Sequence, residues 1–160
     1  MTDGHTAAGG RQQGERLPVT LGRAQVEEML AHARESRPAE CCGLVGERDA
    51  VGASVYRLRN TAPDPSVAYD GDPQDLCEAQ RTMRARGEGL LGIYHSHTRE
   101  AAPVPSESDV RLAYHPSAIY FIIGFEEGAE GEDFKASLHA FRIFRSEKRW
   151  ERVEYAVVES

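Results

Sequence analysis

The chain has 160 residues, of which 40% are hydrophobic and 28% are charged, and its formal net charge is −7. This length suffices for one domain with a buried core, and the composition is that of an ordinary globular protein. The net charge is negative and no basic block occurs, so nucleic acid is not an expected partner. No apolar run approaches the roughly 18 residues of a membrane span, so a membrane is not an expected partner either.

The first residues, 1–16, are rich in glycine, glutamine and charged side chains and contain no apolar stretch. They are predicted to form a disordered tail and not a secretory signal, while residues 17–160 are predicted to form a single domain. The three cysteines, Cys41, Cys42 and Cys77, are odd in number and include no C-x-x-C pair. Neither a disulfide framework nor a structural zinc site is therefore expected, and a cytoplasmic protein is predicted.

Apolar periodicity, glycines and prolines predict seven strands and three helices. The strands are predicted at 17–21, 42–47, 53–59, 90–94, 118–125, 136–145 and 150–158, and the helices at 23–37, 73–86 and 106–114. The first strand is expected at a sheet edge because Pro18 has no backbone N–H to donate. The acidic segment 126–133 is predicted to be a hairpin turn. This order of elements predicts an α/β fold in which helices pack on a mixed β-sheet.

Two histidines follow the predicted strand 90–94, in the sequence His95-Ser96-His97. Side chains at i and i+2 of an extended segment point to the same side, so both imidazoles can converge on one ion while Ser96 points away. The alternative is a pair of surface histidines at a strand end. The other histidines have no partner at ligand spacing and are expected to be structural or exposed: His5, His32 on an exposed helix face, His115 and His139.

A third metal ligand is expected among the acidic residues that follow, which are Glu100, Glu107 and Asp109. Asp109 is preferred because it lies about one turn into the predicted helix 106–114, which can bring it over the end of the strand. Two histidines and one carboxylate leave the fourth position of a tetrahedral zinc ion open for water, as is typical of catalytic zinc sites.

Glu40 is the candidate for the base that a metal-activated water requires, because it stands at the start of the predicted strand 42–47. The alternative is a solvated charge in the linker before that strand. Sequence alone does not show whether strand 42–47 lies beside strand 90–94, so the distance from Glu40 to the two histidines stays open.

Three segments together resemble the signature of the JAMM (MPN+) metallopeptidase family, which is a Glu, then H-x-H, then S-x-x-D. They are PAECCGLVG at 38–46, YHSH at 94–97 and PSESD at 105–109. The resemblance extends from about residue 17 to the C-terminus, and it includes Asn60 and the stretch 69–73, which are typical of the short bacterial members. It implies that a zinc ion is bound by His95, His97 and Asp109, that Glu40 is the general acid and base, and that Ser106 helps to stabilise the oxyanion.

The resemblance also implies a fold and a reaction. The family fold is a mixed β-sheet between helices, similar to that of cytidine deaminases, and this agrees with the predicted elements. The short bacterial members resemble peptidases that hydrolyse the amide after the C-terminal glycine of a small ubiquitin-like sulfur-carrier protein with a Gly-Gly tail, for example to release cysteine. Such a carrier is the expected partner, and the sequence leaves the oligomeric state open.

The chain departs from the family pattern in the loop between the two halves of the signature. Eight residues separate His97 from Ser106, where the family usually has seven, and Thr98 stands where many members have Pro. An extra residue in an irregular loop is easily absorbed, so Asp109 is still expected to reach the metal, while the position of Ser106 depends on the loop. Ser106 and Asp109 also match a helix capping box, and a metal-bound Asp109 is not expected to serve fully as a cap.

Two other functions compete with the peptidase prediction. A catalytically silent MPN-type scaffold or interaction module usually lacks some of the ligands, whereas every ligand position is filled here. A deaminase needs H-x-E together with P-C-x-x-C, and no P-C-x-x-C occurs in this sequence. The sequence therefore favours a zinc metallopeptidase.

Overall fold

The computed structural model describes residues 18–128 and 134–159, so the predicted tail 1–16 and part of the predicted turn 126–133 lie outside it. The described residues form eight strands and three α-helices. In chain order these are β1 (Val19–Gly22), α1 (Arg23–Ser36), β2 (Cys42–Arg48), β3 (Val51–Leu58), α2 (Pro73–Ala85), β4 (Gly89–Ser96), α3 (Glu107–Arg111), β5 (Ile119–Glu126), β6 (Lys135–Phe144), β7 (Arg149–Val153) and β8 (Tyr155–Val158).

All eight strands join one sheet in the order β7-β6-β5-β4-β2-β3-β1-β8. The pairs β4–β5, β1–β3 and β1–β8 are parallel, and the other neighbours are antiparallel. The prediction of an α/β fold with a mixed sheet is confirmed. The prediction of an edge position for the first strand is wrong, because β1 lies between β3 and β8. Pro18 precedes the paired residues, so its missing N–H interrupts no ladder bond.

The predicted strand 150–158 is two strands at opposite ends of the sheet. β7 pairs with β6 and β8 pairs with β1, although only Glu154 separates them along the chain. The sheet must therefore curl until its two edges approach each other, and the Tyr155 hydroxyl donates to the Leu138 carbonyl oxygen at 2.8 Å. Hydrophobic alternation continues through both strands, which is why the sequence pattern did not show the break.

Helices α1 and α2 pack on opposite faces of the sheet, and β2 shows why. Its side chains alternate, so that Val45 joins the cluster that contains Met29 of α1, while Leu44 joins the cluster that contains Met83 of α2. The predicted helix 106–114 is shorter than expected and ends at Arg111. Within the described ranges, no helix is both long and apolar enough to cross a membrane.

His32 corrects the expectation of an exposed helix face. It is buried, and its Nδ1 lies 2.6 Å from the hydroxyl of Tyr94. Burial lowers the pKa of His32 to about 4, so the ring is neutral near neutral pH. His32 therefore acts as a polar link between α1 and β4 within the core.

Candidate metal centre

The end of β4 directs two imidazoles to one point. The Nε2 atoms of His95 and His97 lie 3.0 Å apart, and both rings are buried. The backbone N–H of His97 donates to the Ile123 carbonyl oxygen at 2.9 Å, which continues the extended conformation past the end of the strand. The arrangement predicted from the H-x-H spacing is therefore present.

Asp109 completes the cluster from α3. One carboxylate oxygen, Oδ1, lies 3.2 Å from Nε2 of His95, and the other, Oδ2, lies 3.1 Å from Nε2 of His97. Loop 98–105 thus absorbs its extra residue. Ligand atoms around a tetrahedral zinc ion with bonds of about 2.0–2.1 Å lie roughly 3.3 Å apart, so each pair of side chains in the cluster approaches at about the spacing of two ligands of one ion. Together they could hold a metal ion.

The charges of the cluster also suit a cation. Burial favours the neutral form of Asp109, but hydrogen bonds from His95 and His97 outweigh it and hold the pKa of the carboxyl well below its ordinary value. Burial likewise disfavours the charged form of His97, yet Asp109 outweighs it and raises the pKa of the ring. Asp109 is therefore an anion at neutral pH, which is the form that a metal ligand requires.

The capping interpretation of Ser106 and Asp109 is correct, and it is compatible with the cluster. The Ser106 hydroxyl oxygen accepts the backbone N–H of Asp109 at 3.0 Å, and Oδ2 of Asp109 accepts the backbone N–H of Ser106 at 2.9 Å. The same carboxylate that caps α3 thus points at both imidazoles. The cap fixes the orientation of the carboxylate, so local helix chemistry positions the third candidate ligand.

Glu40 lies beside the cluster because β2 and β4 are neighbours. The antiparallel register places Cys42 opposite His95, and the Glu40 side chain lines the same cavity as His97 and Asp109. Glu40 is only 8% exposed, so it is not a solvated linker charge. Burial raises the pKa of Glu40 to about 7, with a smaller opposing effect from His97. A carboxyl group with such a pKa is suited to exchange protons near neutrality.

Tyr69 and Asn60, to which the sequence analysis assigned no role in the site, contact the residues that form it. The ring of Tyr69 stacks on the imidazole of His95, with centroids 4.4 Å apart. The Asn60 amide donates to the carbonyl oxygens of Glu40 and Ala68, both at 2.9 Å, and thereby ties loop 60–72 to the start of β2. Both belong to the family resemblance, but asparagine and aromatic residues are common in loops, so residue type alone does not assign them a role in the site.

Among the other acidic candidates, Glu100 approaches the cluster from outside. Its carboxylate lies 3.3 Å from Nδ1 of His97, on the side of the ring away from Asp109. A carboxylate in this position orients a ligating imidazole and increases its basicity. Glu107 lies outside the cluster, as do His32, His115 and His139, and His5 lies outside the described residues.

Ser96 connects the two strands that carry the site. It is fully buried, and its hydroxyl oxygen accepts the backbone N–H of Cys41 at 2.9 Å, while its own N–H donates to the Cys41 carbonyl oxygen at 3.2 Å. Cys41 directly follows Glu40. The residue between the two histidines therefore fixes the position of the residue next to the candidate base.

Replacement of Ser96 with alanine is expected to destabilise the fold by about 1–3 kcal/mol, because the buried N–H of Cys41 loses its side-chain acceptor. Thermal and urea unfolding measure this change. Ser137→Ala, which removes a partly exposed hydroxyl on β6, serves as the control and should change stability by less than about 1 kcal/mol. Equal stability of Ser96→Ala and the wild type would show that the Cys41 contact contributes nothing.

A cavity of about 340 Å³ opens over the cluster. It is lined by Glu40, His97, Asp109, Ser106, Ser108, Leu112 and the segments 66–69 and 98–100. The cavity brings the candidate base, two of the three candidate metal ligands and Ser106 to one open space. A small polar group can therefore approach all of them together.

Two curated proteins are similar to the chain in sequence. A desampylase of Haloferax volcanii is 37% identical over 110 residues, which cover 65% of this chain and 78% of that protein. A CysO-cysteine peptidase of Mycobacterium tuberculosis is 33% identical over 119 residues, which cover 74% of this chain and 77% of that protein. Both matches span most of the relative's length.

Solved structures and a family model agree with this likeness. A protein from Desulfitobacterium hafniense is 36% identical with a TM-score of 0.72 over 88% of this chain and 93% of that one. A JAB1/MPN domain protein from Archaeoglobus fulgidus, at 20% identity and a TM-score of 0.57 over 88% of this chain and 99% of that one, has the same fold. The model for prokaryotic homologs of the JAB domain matches residues 23–139. The resemblance predicted from the three sequence segments is therefore confirmed, and the chain belongs to the family of prokaryotic homologs of the JAB domain.

Proposed function

We propose that the protein is a zinc-dependent peptidase that hydrolyses the amide after the C-terminal glycine of a small ubiquitin-like carrier protein. The observation that carries this proposal is the convergence of His95, His97 and Asp109 on one point. The buried Glu40 lines the same open cavity as His97 and Asp109. The names of the desampylase and the CysO-cysteine peptidase support a peptidase, and a released cysteine is one candidate product. A silent scaffold needs no such complete set of side chains.

Zinc suits the proposed ligand set of two imidazoles and a carboxylate, which leaves an open position. When bound, zinc supplies a Lewis acid that activates water and polarises a carbonyl group. We assign the metal to His95, His97 and Asp109, with Glu100 as the outer partner of His97. We place the reaction in the cytoplasm, since Cys41, Cys42 and Cys77 are all free thiols.

In the proposed reaction, Glu40 takes a proton from the attacking water. The water oxygen then bonds to the carbonyl carbon, the C–N bond breaks, and Glu40 returns the proton to the departing amine. The products are the carrier with a free carboxylate and the released amine. Ser106 uses its oxygen to accept the Asp109 N–H, so its O–H remains available to donate to the developing oxyanion.

The test of this function is metal-dependent cleavage of a defined adduct. A ubiquitin-fold carrier ending in Gly-Gly and extended by one cysteine is incubated with the protein as purified, after chelation by 1,10-phenanthroline, and after zinc is restored. We expect cleavage in the first and third samples, with mass spectrometry showing loss of one cysteine. Full activity in the chelated sample, or no cleavage with any amount of zinc, contradicts the proposal.

A further inference from the structure

The cavity over the cluster has one side chain whose charge the proposed chemistry does not use. Among the described residues, Arg99 is the only arginine or lysine that lines this cavity. The three carboxylates that line it are Glu40, Glu100 and Asp109. A negatively charged group that enters the cavity would meet these carboxylates, and Arg99 is the protein side chain there that can attract it.

Arg99 is free to bind such a group. Within the described part of the chain it makes no hydrogen bond or ion pair, whereas Arg57 and Arg59 each contact two carboxylates. The neighbouring Glu100 contacts His97 and leaves Arg99 without a partner. A guanidinium group that is not already paired can bind a carboxylate through two parallel hydrogen bonds.

The backbone that carries Arg99 is held in place although its side chain is exposed. The carbonyl oxygen of Glu100 accepts the backbone N–H of Phe125 at 2.7 Å. The loop also passes so close to Gly124 that a Cβ atom there would lie 2.6 Å from the Glu100 carbonyl oxygen. On the other side, Thr98 is buried next to His97. The backbone at Arg99 is therefore held in a fixed position beside the candidate metal ligands.

We infer that Arg99 binds the α-carboxylate of the amino acid that leaves, so that the site selects adducts of the carrier with a single amino acid. This inference rests on the proposed function and specifies its substrate class. In such an adduct the carboxylate is attached to the carbon next to the amide nitrogen, so it enters the cavity with the scissile bond. In an isopeptide conjugate, a lysine side chain separates the amide from a main chain that bears no free carboxylate at that point.

The test compares substrates that differ only in this carboxylate. A carrier thioester is joined to cysteine or to cysteinamide, which gives the same amide bond with and without the charge, and a third substrate links the carrier to a lysine side chain in a peptide. For the zinc-loaded wild type we expect kcat/KM to be about ten- to a hundredfold higher for the cysteine adduct than for the other two.

Three variants test whether Arg99 causes the preference for the cysteine adduct. Arg99→Ala should lower kcat/KM for the cysteine adduct to the level of the cysteinamide adduct and leave the cysteinamide value unchanged. Arg99→Lys should keep part of the preference, since it retains the charge but loses the planar fork. Arg81→Ala, which removes an exposed arginine of α2 that does not line the cavity, should behave as the wild type. A preference that persists in Arg99→Ala, or an equal loss for both adducts, overturns the inference.

A binding measurement separates this inference from the proposed function. The zinc-loaded Glu40→Gln variant is titrated with both adducts by calorimetry, alone and combined with Arg99→Ala. We expect about tenfold or tighter binding of the cysteine adduct, and loss of this difference with Arg99→Ala. If the wild type cleaves no adduct, the proposed function fails, and the ratio of the two dissociation constants alone then supports or overturns the role of Arg99.

Discussion

Replacement of His97 with alanine is expected to remove the metal from the protein. Nε2 of His97 lies 3.0 Å from that of His95 and 3.1 Å from the Asp109 carboxylate, so the substitution deletes one of the three proposed ligands. Two protein ligands are fewer than the three that catalytic zinc sites use. Elemental analysis of protein purified without a chelating resin should find about one zinc per wild-type chain and less than about a tenth of that in the variant.

His139→Ala is the matched control for this experiment. His139 lies on β6, where its Nε2 contacts the Ser137 hydroxyl, and it does not belong to the cluster. This variant should keep the zinc content of the wild type, which excludes a general effect of losing one histidine. If the wild type contains no zinc even after reconstitution, the proposal of a metal centre is wrong, and a catalytically silent scaffold becomes the better proposal for the function.

Local rules sufficed to predict most of the metal cluster. The alternation of side chains along an extended segment brings His95 and His97 together, and the capping box positions Asp109 at the start of α3. Both rules depend on neighbouring residues, so they can be read from the sequence. The contact between α3 and the end of β4 is not local: helix geometry allowed it, and the family resemblance implied it.

The position of Glu40 could not be derived from local rules. It depends on the pairing of β2 with β4, whose residues Cys42 and His95 are far apart in the sequence. The hydrogen bond that the Cys41 N–H donates to Ser96 and the stacking of Tyr69 on His95 likewise depend on contacts between distant parts of the chain. Side-chain patterns indicate which face of a strand is buried, but they do not identify its partner strand.

The same distinction explains the errors in the predicted fold. Helices α1 and α2 were predicted well, because their caps and apolar positions lie within the helix or next to it; α2, for example, begins after the Asp72 cap. The interior position of β1 and the division of the last strand into β7 and β8 are properties of the whole sheet. Periodicity within one strand carries no information about either.

Replacement of Glu40 with glutamine is expected to lower kcat by about a thousandfold while zinc stays bound. Glutamine has nearly the same shape, but its amide cannot take a proton from water and return it to the amine. The backbone contacts of residue 40 with Pro65 and Asn60 do not involve the side chain, so the fold should be retained. Steady-state cleavage of the carrier–cysteine adduct, together with zinc analysis of the same sample, measures both effects.

A carboxylate near the site that does not line the cavity provides the control. Glu107 lies in the first turn of α3, next to Ser106, and the same change to glutamine there should leave kcat within about twofold of the wild type. Because both variants replace a carboxyl group with a neutral amide, a general effect of losing an acidic side chain near the site would lower their activities alike. A large loss confined to Glu40→Gln, with zinc retained, therefore identifies proton transfer as the missing step. If Glu40→Gln keeps more than about a tenth of the activity, another group must move the proton.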